Sequence, residues 1–155
     1  MILTTWRIVA ERFTEGAFDG EGAARHPGRW NERGVPMVYT AATRSLAALE
    51  MLVHIGNAAL LEQYRCIPLT FDATQCLQLP ENELPRDWHA QPASASTRAL
   101  GTRWCEQRSS VLLAVPSAVI PAERIYLMNP RHPDAQRLGI GPPEAFVFDS
   151  RLPTR

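Results

Sequence analysis

Val111-Leu112-Leu113-Ala114-Val115, closed by Pro116, and Arg124-Ile125-Tyr126-Leu127-Met128 are the stretches whose reading decides the fold. Both are short apolar runs bounded by breakers, the signature of strands rather than helices. The connection between them is shorter than the dozen or more residues that a parallel crossover requires, so the second run is expected to return antiparallel. Further strands are predicted over residues 5–9, 37–40, 64–71, 76–79 and 145–149, with Pro68 giving the 64–71 strand a bulge or an edge position. Thr43 is expected to cap a helix running to about Ile55, with Gly56 as its stop signal. Ser96 is expected to cap another helix, through about Arg108. Strands outnumber helices and most connections are short, which predicts an α+β fold with a mixed or antiparallel sheet and a few helices, in one domain across 1–155.

Three stretches read as loops. Residues 14–34 are rich in glycine and charge, and a loop of that length inside a compact domain is more often functional than idle. Pro80, Pro85 and Pro92 mark a second, and 129–143 is rich in turn residues.

Composition narrows the function. The chain has 155 residues, 45% of them apolar, and 16 basic residues balance 16 acidic ones. A nucleic-acid binder carries a basic surplus or stripe, because neutralising phosphate supplies most of its affinity; neither is present, so no direct nucleic-acid partner is expected. Every basic residue is Arg and none is Lys. Schiff-base chemistry, a lysine general base and a P-loop cation are therefore closed. Cys66, Cys76 and Cys105 are odd in number and lack Cys-x-x-Cys spacing, which speaks against a disulfide framework and a zinc knuckle and suits a reducing compartment. The N-terminus lacks a signal-peptide pattern and no run reaches the length of a membrane span, so a cytoplasmic protein with no membrane partner is expected.

Two features carry chemistry. Leu46, Leu49 and Val53 are spaced as the apolar stripe of the helix after Thr43, and Glu50 falls on that face. A carboxylate on a core-facing side is desolvated unless it is paired, protonated or lining a cleft. The plainer alternative is a stripe-edge glutamate that reaches water or an internal partner. The second feature is Gly28-Arg29-Trp30-Asn31, with Gly34 beyond it. Arginine offers a planar fork suited to pyrophosphate or carboxylate, and tryptophan can pack on a ring or a ribose. The alternative is a surface turn that Trp30 anchors to the core. Other constellations fail. Glu50 and His54 lie one helical turn apart but lack a third ligand, so no metal is expected. His26, His89 and His132 are scattered in loops. Gly139-Ile140-Gly141 opens no helix, and no Gly-x-Ser-x-Gly elbow occurs.

Seven blocks occur in the order seen in RES-domain proteins: Trp6-Arg7, Gly28-Arg29-Trp30-Asn31, Val38-Tyr39-Thr40-Ala41, Leu46-Ala47-Ala48-Leu49-Glu50, Val115-Pro116-Ser117-Ala118, Asn129-Pro130 and Phe148-Asp149-Ser150-Arg151-Leu152. The chain resembles that family over nearly its whole length, most weakly from about 75 to 94. The resemblance implies a fold similar to ADP-ribosyltransferases and a toxin of a type II toxin–antitoxin pair that consumes NAD as substrate. The bond cleaved would join nicotinamide to ribose, with water or phosphate as acceptor. ADP-ribosylation of a cellular protein and a non-catalytic partner-binding module are the alternatives. An Xre-like antitoxin that blocks the active site is the implied partner, within a hetero-oligomer.

By resemblance, the family's Arg, Glu, Ser and Tyr look like Arg29, Glu50, Ser117 and Tyr39. The catalytic set is then expected to be Arg29, Tyr39 and Glu50, with Arg29, Trp30, Asn31, Tyr39 and Ser117 binding substrate. Glu50 would steady the positive charge that develops on ribose, and Arg29 would hold the pyrophosphate. Tyr39 would stack on nicotinamide or fix the ribose, unless it is a strand tyrosine with a satisfied hydroxyl. Ser117 would bond substrate or cap a turn. Arg7 is a further phosphate ligand or a solvated strand residue.

Overall fold

A computed structural model describes residues 1–55 and 62–152. Gly56, the expected helix stop, lies outside them. Eight strands and three helices follow in the order β1 (Ile2–Ala10), α1 (Glu21–Arg25), β2 (Val38–Ala41), α2 (Arg44–Leu52), β3 (Tyr64–Asp72), β4 (Cys76–Gln78), α3 (Ala95–Gln107), β5 (Leu112–Pro116), β6 (Arg124–Met128), β7 (Gly139–Ile140) and β8 (Glu144–Phe146). They build one mixed sheet in the order β4-β5-β6-β2-β1-β3-β7, with β8 also on β3.

The two opening stretches pair as expected: β5 runs antiparallel to β6, from Leu112 opposite Met128 to Pro116 opposite Arg124. Among the described residues, only β4 and β5 are parallel. Between them the chain carries α3, the kind of long helical connection that parallel neighbours need. Every residue from Val111 to Ser117 is buried because both faces of β5 are covered. Leu113 and Val115 join Trp30, Leu46, Tyr64, Trp104 and Leu127 in one core, and Leu112 joins Val38, Leu69, Phe71 and Met128 in the other. A strand buried on both sides reads as continuous apolar sequence, which is how Val111–Val115 reads.

Several boundaries differ from expectation. The 14–34 loop contains α1, which starts after Gly20 in the left-handed region at φ 76°. β3 keeps unbroken register with β1 from Ile2–Asp72 to Ala10–Tyr64, so Pro68 makes no bulge. Its carbonyl accepts from Gly141 N on the outer side, and in an antiparallel strand the missing N–H faces the same way. Pro68 therefore occupies the edge position the sequence allowed, between the short outer strands β7 and β8. α3 is capped by Ser94, whose hydroxyl accepts from Thr97 N, rather than by Ser96. Ser96 donates instead to Asp87 Oδ1 at 2.7 Å.

Thr43 does cap α2, accepting from Leu46 N at 3.0 Å, but the helix ends at Leu52. The packed face is rotated from the one the spacing suggested. Leu46 and Ala47 are buried, whereas Leu49 is 38% exposed and Val53 61% exposed. α2 lies against β1 and β2 and meets the core through Leu46, Ala47, Ala48, Met51 and Leu52. Glu50, one turn beyond Leu46, is half-buried at the margin of that contact.

Candidate active site

The Gly28–Asn31 segment is held from within. Asn31 has no exposed surface. Its Oδ1 accepts from Gly28 N at 2.8 Å and from the Tyr39 hydroxyl at 2.6 Å. Its Nδ2 donates to the carbonyls of Ala23, Glu32 and Val35. The Tyr39 oxygen accepts in turn from Trp30 N at 3.0 Å. Both capacities of the tyrosine hydroxyl are thus used, and burial pushes its pKa above the ordinary phenol value. Two glycines make the packing possible. A Cβ on Gly28 would lie 2.7 Å from the Tyr39 ring, and one on Gly101 of α3 would lie 1.8 Å from the Trp30 carbonyl oxygen.

Trp30, expected as a stacking surface, has no exposed area and belongs to the main core. A ring buried on both faces offers none to a ligand, so in this arrangement Trp30 anchors the segment. Asn31 braces it.

Arg29 points the other way. Its Nη1 donates to the carbonyls of Trp88 at 2.9 Å and Ala90 at 2.7 Å. Burial pulls its pKa below the usual arginine value; Glu50 opposes that shift through space, as does Tyr39, and Arg98 adds to it. Arg98 itself reaches the Gly28 carbonyl at 3.4 Å. Among the described residues no ion pair joins Arg29 to Glu50, and the carboxylate acts on the guanidinium through space.

Glu50 is fixed by Ser117, at the end of β5. The Ser117 hydroxyl donates to Glu50 Oε1 at 2.6 Å and accepts from the backbone amides of Val119 and Ile120. Ser117 is fully buried, and its single proton is committed to the carboxylate. Of its two expected roles the hydroxyl fills the turn-capping one, and its proton holds Glu50 rather than standing free for a substrate. Arg7 is neither solvated nor turned to the cleft. Its Nε donates to Ala17 O and its Nη1 to Tyr39 O, tying the 14–20 loop to β2, and burial lowers its pKa to about 10.

The sequence did not point to the third wall. The segment around Trp88–Ala90 bridges the two charged groups: its carbonyls hold Arg29, and His89 Nε2 lies 2.6 Å from the Ala118 carbonyl, next to Ser117. Backbone carbonyls carry no residue signature, so only the proline spacing marked this loop. A hollow of about 600 Å³ adjoins the Arg29 segment through Pro27 and Arg98, with Glu32, Arg33, Ala93 and Ala95 completing its walls. Neither Glu50 nor Arg29 lines it. Among the described residues no cluster of three His, Cys, Asp or Glu is arranged to hold a metal.

The RES domain family model matches residues 4–149. Toxin Res of Yersinia enterocolitica is 38% identical over 148 residues, covering 95% of this chain and 97% of its own. Toxin Res of Pseudomonas putida is 41% identical over 150 residues, covering 95% and 97%. The Prs ADP-ribosylating toxin of a Sphingobium species is 37% identical over 158 residues, with 98% of each chain covered. Among solved structures, the M. tuberculosis MbcT–MbcA toxin–antitoxin complex contains a chain that superposes with a TM-score of 0.75 at 19% identity, over 95% of this chain and 85% of that one.

Proposed function

The chain belongs to the RES domain family, and from that membership we propose that it is the toxin of a toxin–antitoxin pair that breaks the nicotinamide–ribose bond of NAD. The carrying observation is that the acid is held by a buried serine and the guanidinium by backbone carbonyls, with the two near enough to act on one another through space.

The chemistry asks for that pair. Cleaving the N-glycosidic bond moves its electron pair to the pyridinium nitrogen, so nicotinamide leaves neutral and needs no proton. Positive charge develops on the ribose, in an oxocarbenium-like transition state. A fixed carboxylate beside the sugar answers that charge, and a group already oriented loses nothing by reorganising. Glu50 takes this role; Ser117 orients it. Arg29 binds the pyrophosphate, with Nε and Nη2 left over from the bonds that Nη1 makes. Tyr39, Trp30 and Asn31 keep the Arg29 backbone in place from behind. One acid then suffices where glycosidases use two.

Glu50→Gln keeps the shape and removes the charge. Incubated with NAD, the wild-type chain is expected to release nicotinamide and the variant to be slower by about 10²–10³-fold. Release by Glu50→Gln at the wild-type rate would sink the proposal, and toxicity that survives this change would favour a module that only binds partners. The similarity to the Prs ADP-ribosylating toxin supports a second reading, transfer of ADP-ribose to a protein. Labelled NAD would then leave ADP-ribose on a protein band; mass spectrometry with and without phosphate separates the acceptors. The solved toxin–antitoxin neighbour supports an antitoxin partner for this chain; in our reading that partner is Xre-like, sits over the cleft and meets the toxin in the cytoplasm. Co-expression with such an antitoxin is expected to restore growth.

A further inference from the structure

The segment that links the two charged groups is itself organised. Trp88 N bonds Pro85 O and Ala90 N bonds Asp87 O, both at 3.0 Å, which folds residues 85–90 into two overlapping turns. Asp87 is tied by Ser96 at the start of α3. The His89 imidazole stacks on the Trp88 indole, with centroids 4.9 Å apart and planes at 14°. That stacking fixes the plane of the imidazole, and Nε2 meets the Ala118 carbonyl. A carbonyl oxygen only accepts, so Nε2 carries the proton of this bond.

We infer that His89 is a positioning residue: by pinning the Trp88–Ala90 segment to Ala118, it fixes the Arg29 guanidinium at a set distance from Glu50 and poised for a diphosphate. The reasoning is geometric. Nη1 of Arg29 has two hydrogens, and the carbonyls of Trp88 and Ala90 take both. Nε and Nη2 have no protein partner among the described residues, and they form the side-on edge that grips two phosphate oxygens. A guanidinium held on one edge by backbone loses little rotamer freedom when the other edge binds. The hold is only as firm as the segment that provides it. His89 is exposed and its bond to Ala118 spans from that segment to the residue beside Ser117, so this tether couples the segment that holds Arg29 to the strand end that holds Glu50. The inference rests on Arg29 as the anion-binding group of the proposed site and extends it to a residue outside every RES sequence block.

The experiment compares wild type, His89→Ala and His89→Gln. Glutamine's amide nitrogen can donate to the same carbonyl, whereas alanine cannot. Calorimetric titration with inorganic pyrophosphate reads the Arg29 site without any NAD chemistry. His89→Ala is expected to weaken pyrophosphate binding about tenfold, the scale of one well-placed hydrogen bond, while His89→Gln stays within about threefold of wild type. Hydrogen exchange across 85–93 in the ligand-free protein should quicken in His89→Ala alone. With NAD as substrate the same change should appear in KM rather than kcat, because Glu50 and Ser117 are untouched. Unaltered pyrophosphate binding by His89→Ala, or equal loss in both variants, overturns the inference, as does wild type that takes up no pyrophosphate. If pyrophosphate binds as expected but NAD is not cleaved, the positioning role stands and the proposed reaction falls.

Discussion

Two loops reach Arg29, and they hold it in opposite ways. The 27–34 loop is a shoulder: Trp30 and Asn31 have no exposed surface, and the side chains of Asn31 and Tyr39 satisfy one another and the surrounding backbone. The 85–93 loop is a strap, its residues half-buried or exposed, fastened by Ser96, by the Arg29 bonds and by His89. The difference teaches that one cation can be placed by two kinds of support. Burial makes the shoulder part of the fold, so damage there is paid in stability. The strap meets the core through Trp88, so damage at its hydrogen-bonded tethers changes geometry more than stability.

The comparison can be broken most severely at Trp30. Trp30→Ala empties a fully buried site and is expected to cost about 3–5 kcal/mol, read as a lower denaturant midpoint. A cost below 1 kcal/mol would mean that the shoulder is not part of the core. Next comes Tyr39→Phe. It leaves Trp30 N without its partner and takes from Asn31 Oδ1 one of its donors, at about 1–3 kcal/mol. If stability holds while NAD turnover collapses, Tyr39 touches substrate after all.

Ser96→Ala sharpens the other side. Freeing Asp87 should shift global stability by less than about 1 kcal/mol, the range of a single exposed hydrogen bond. Amide exchange across 85–93 should nevertheless rise. Equal exchange in variant and wild type would show that the strap is held elsewhere.

The smallest effect is a slope with pH. Cys105, on α3 behind the shoulder, has its thiol pushed up to about 12 by burial, and Cys76 is pushed up to about 11. In the unfolded chain thiols titrate near about 8.5. Above that the unfolded chain has lost protons that the fold keeps, so stability falls as pH rises. Arg7, lowered to about 10, acts in the opposite sense, because there the fold releases its proton first. Between about pH 8.5 and 10 the thiols act alone, and urea midpoints should decline. Cys105→Ala should flatten that decline.

Local sequence made much of this legible. The strands at β5 and β6 announced themselves as apolar runs between breakers, Thr43 marked the start of α2, and spacing put Glu50 on the side of Leu46. Spacing misled at Leu49 and Val53, because α2 carries apolar residues on more than one side and periodicity does not say that Ala47, Ala48, Met51 and Leu52 are the ones that meet the core. Ser96 was a plausible cap two residues too late, since residue type does not tell that the Ser94 hydroxyl takes the Thr97 amide while Ser96 turns to Asp87. The Gly28–Asn31 segment was visible as a site, yet not the direction of each side chain within it.

The chain's order of residues alone determined its strand-rich class, the absence of lysine chemistry, the family, and that an arginine and a glutamate were the groups to watch. Tertiary structure alone decided that Trp30 and Asn31 face inward, that Ser117 gives its proton to Glu50, and that the carbonyls of Trp88 and Ala90 hold Arg29. The physical reason is range. Propensity, capping and periodicity act over a few neighbours and are written in side-chain identity. The contacts that build the site join residues far apart in the chain, several through backbone atoms that every residue shares.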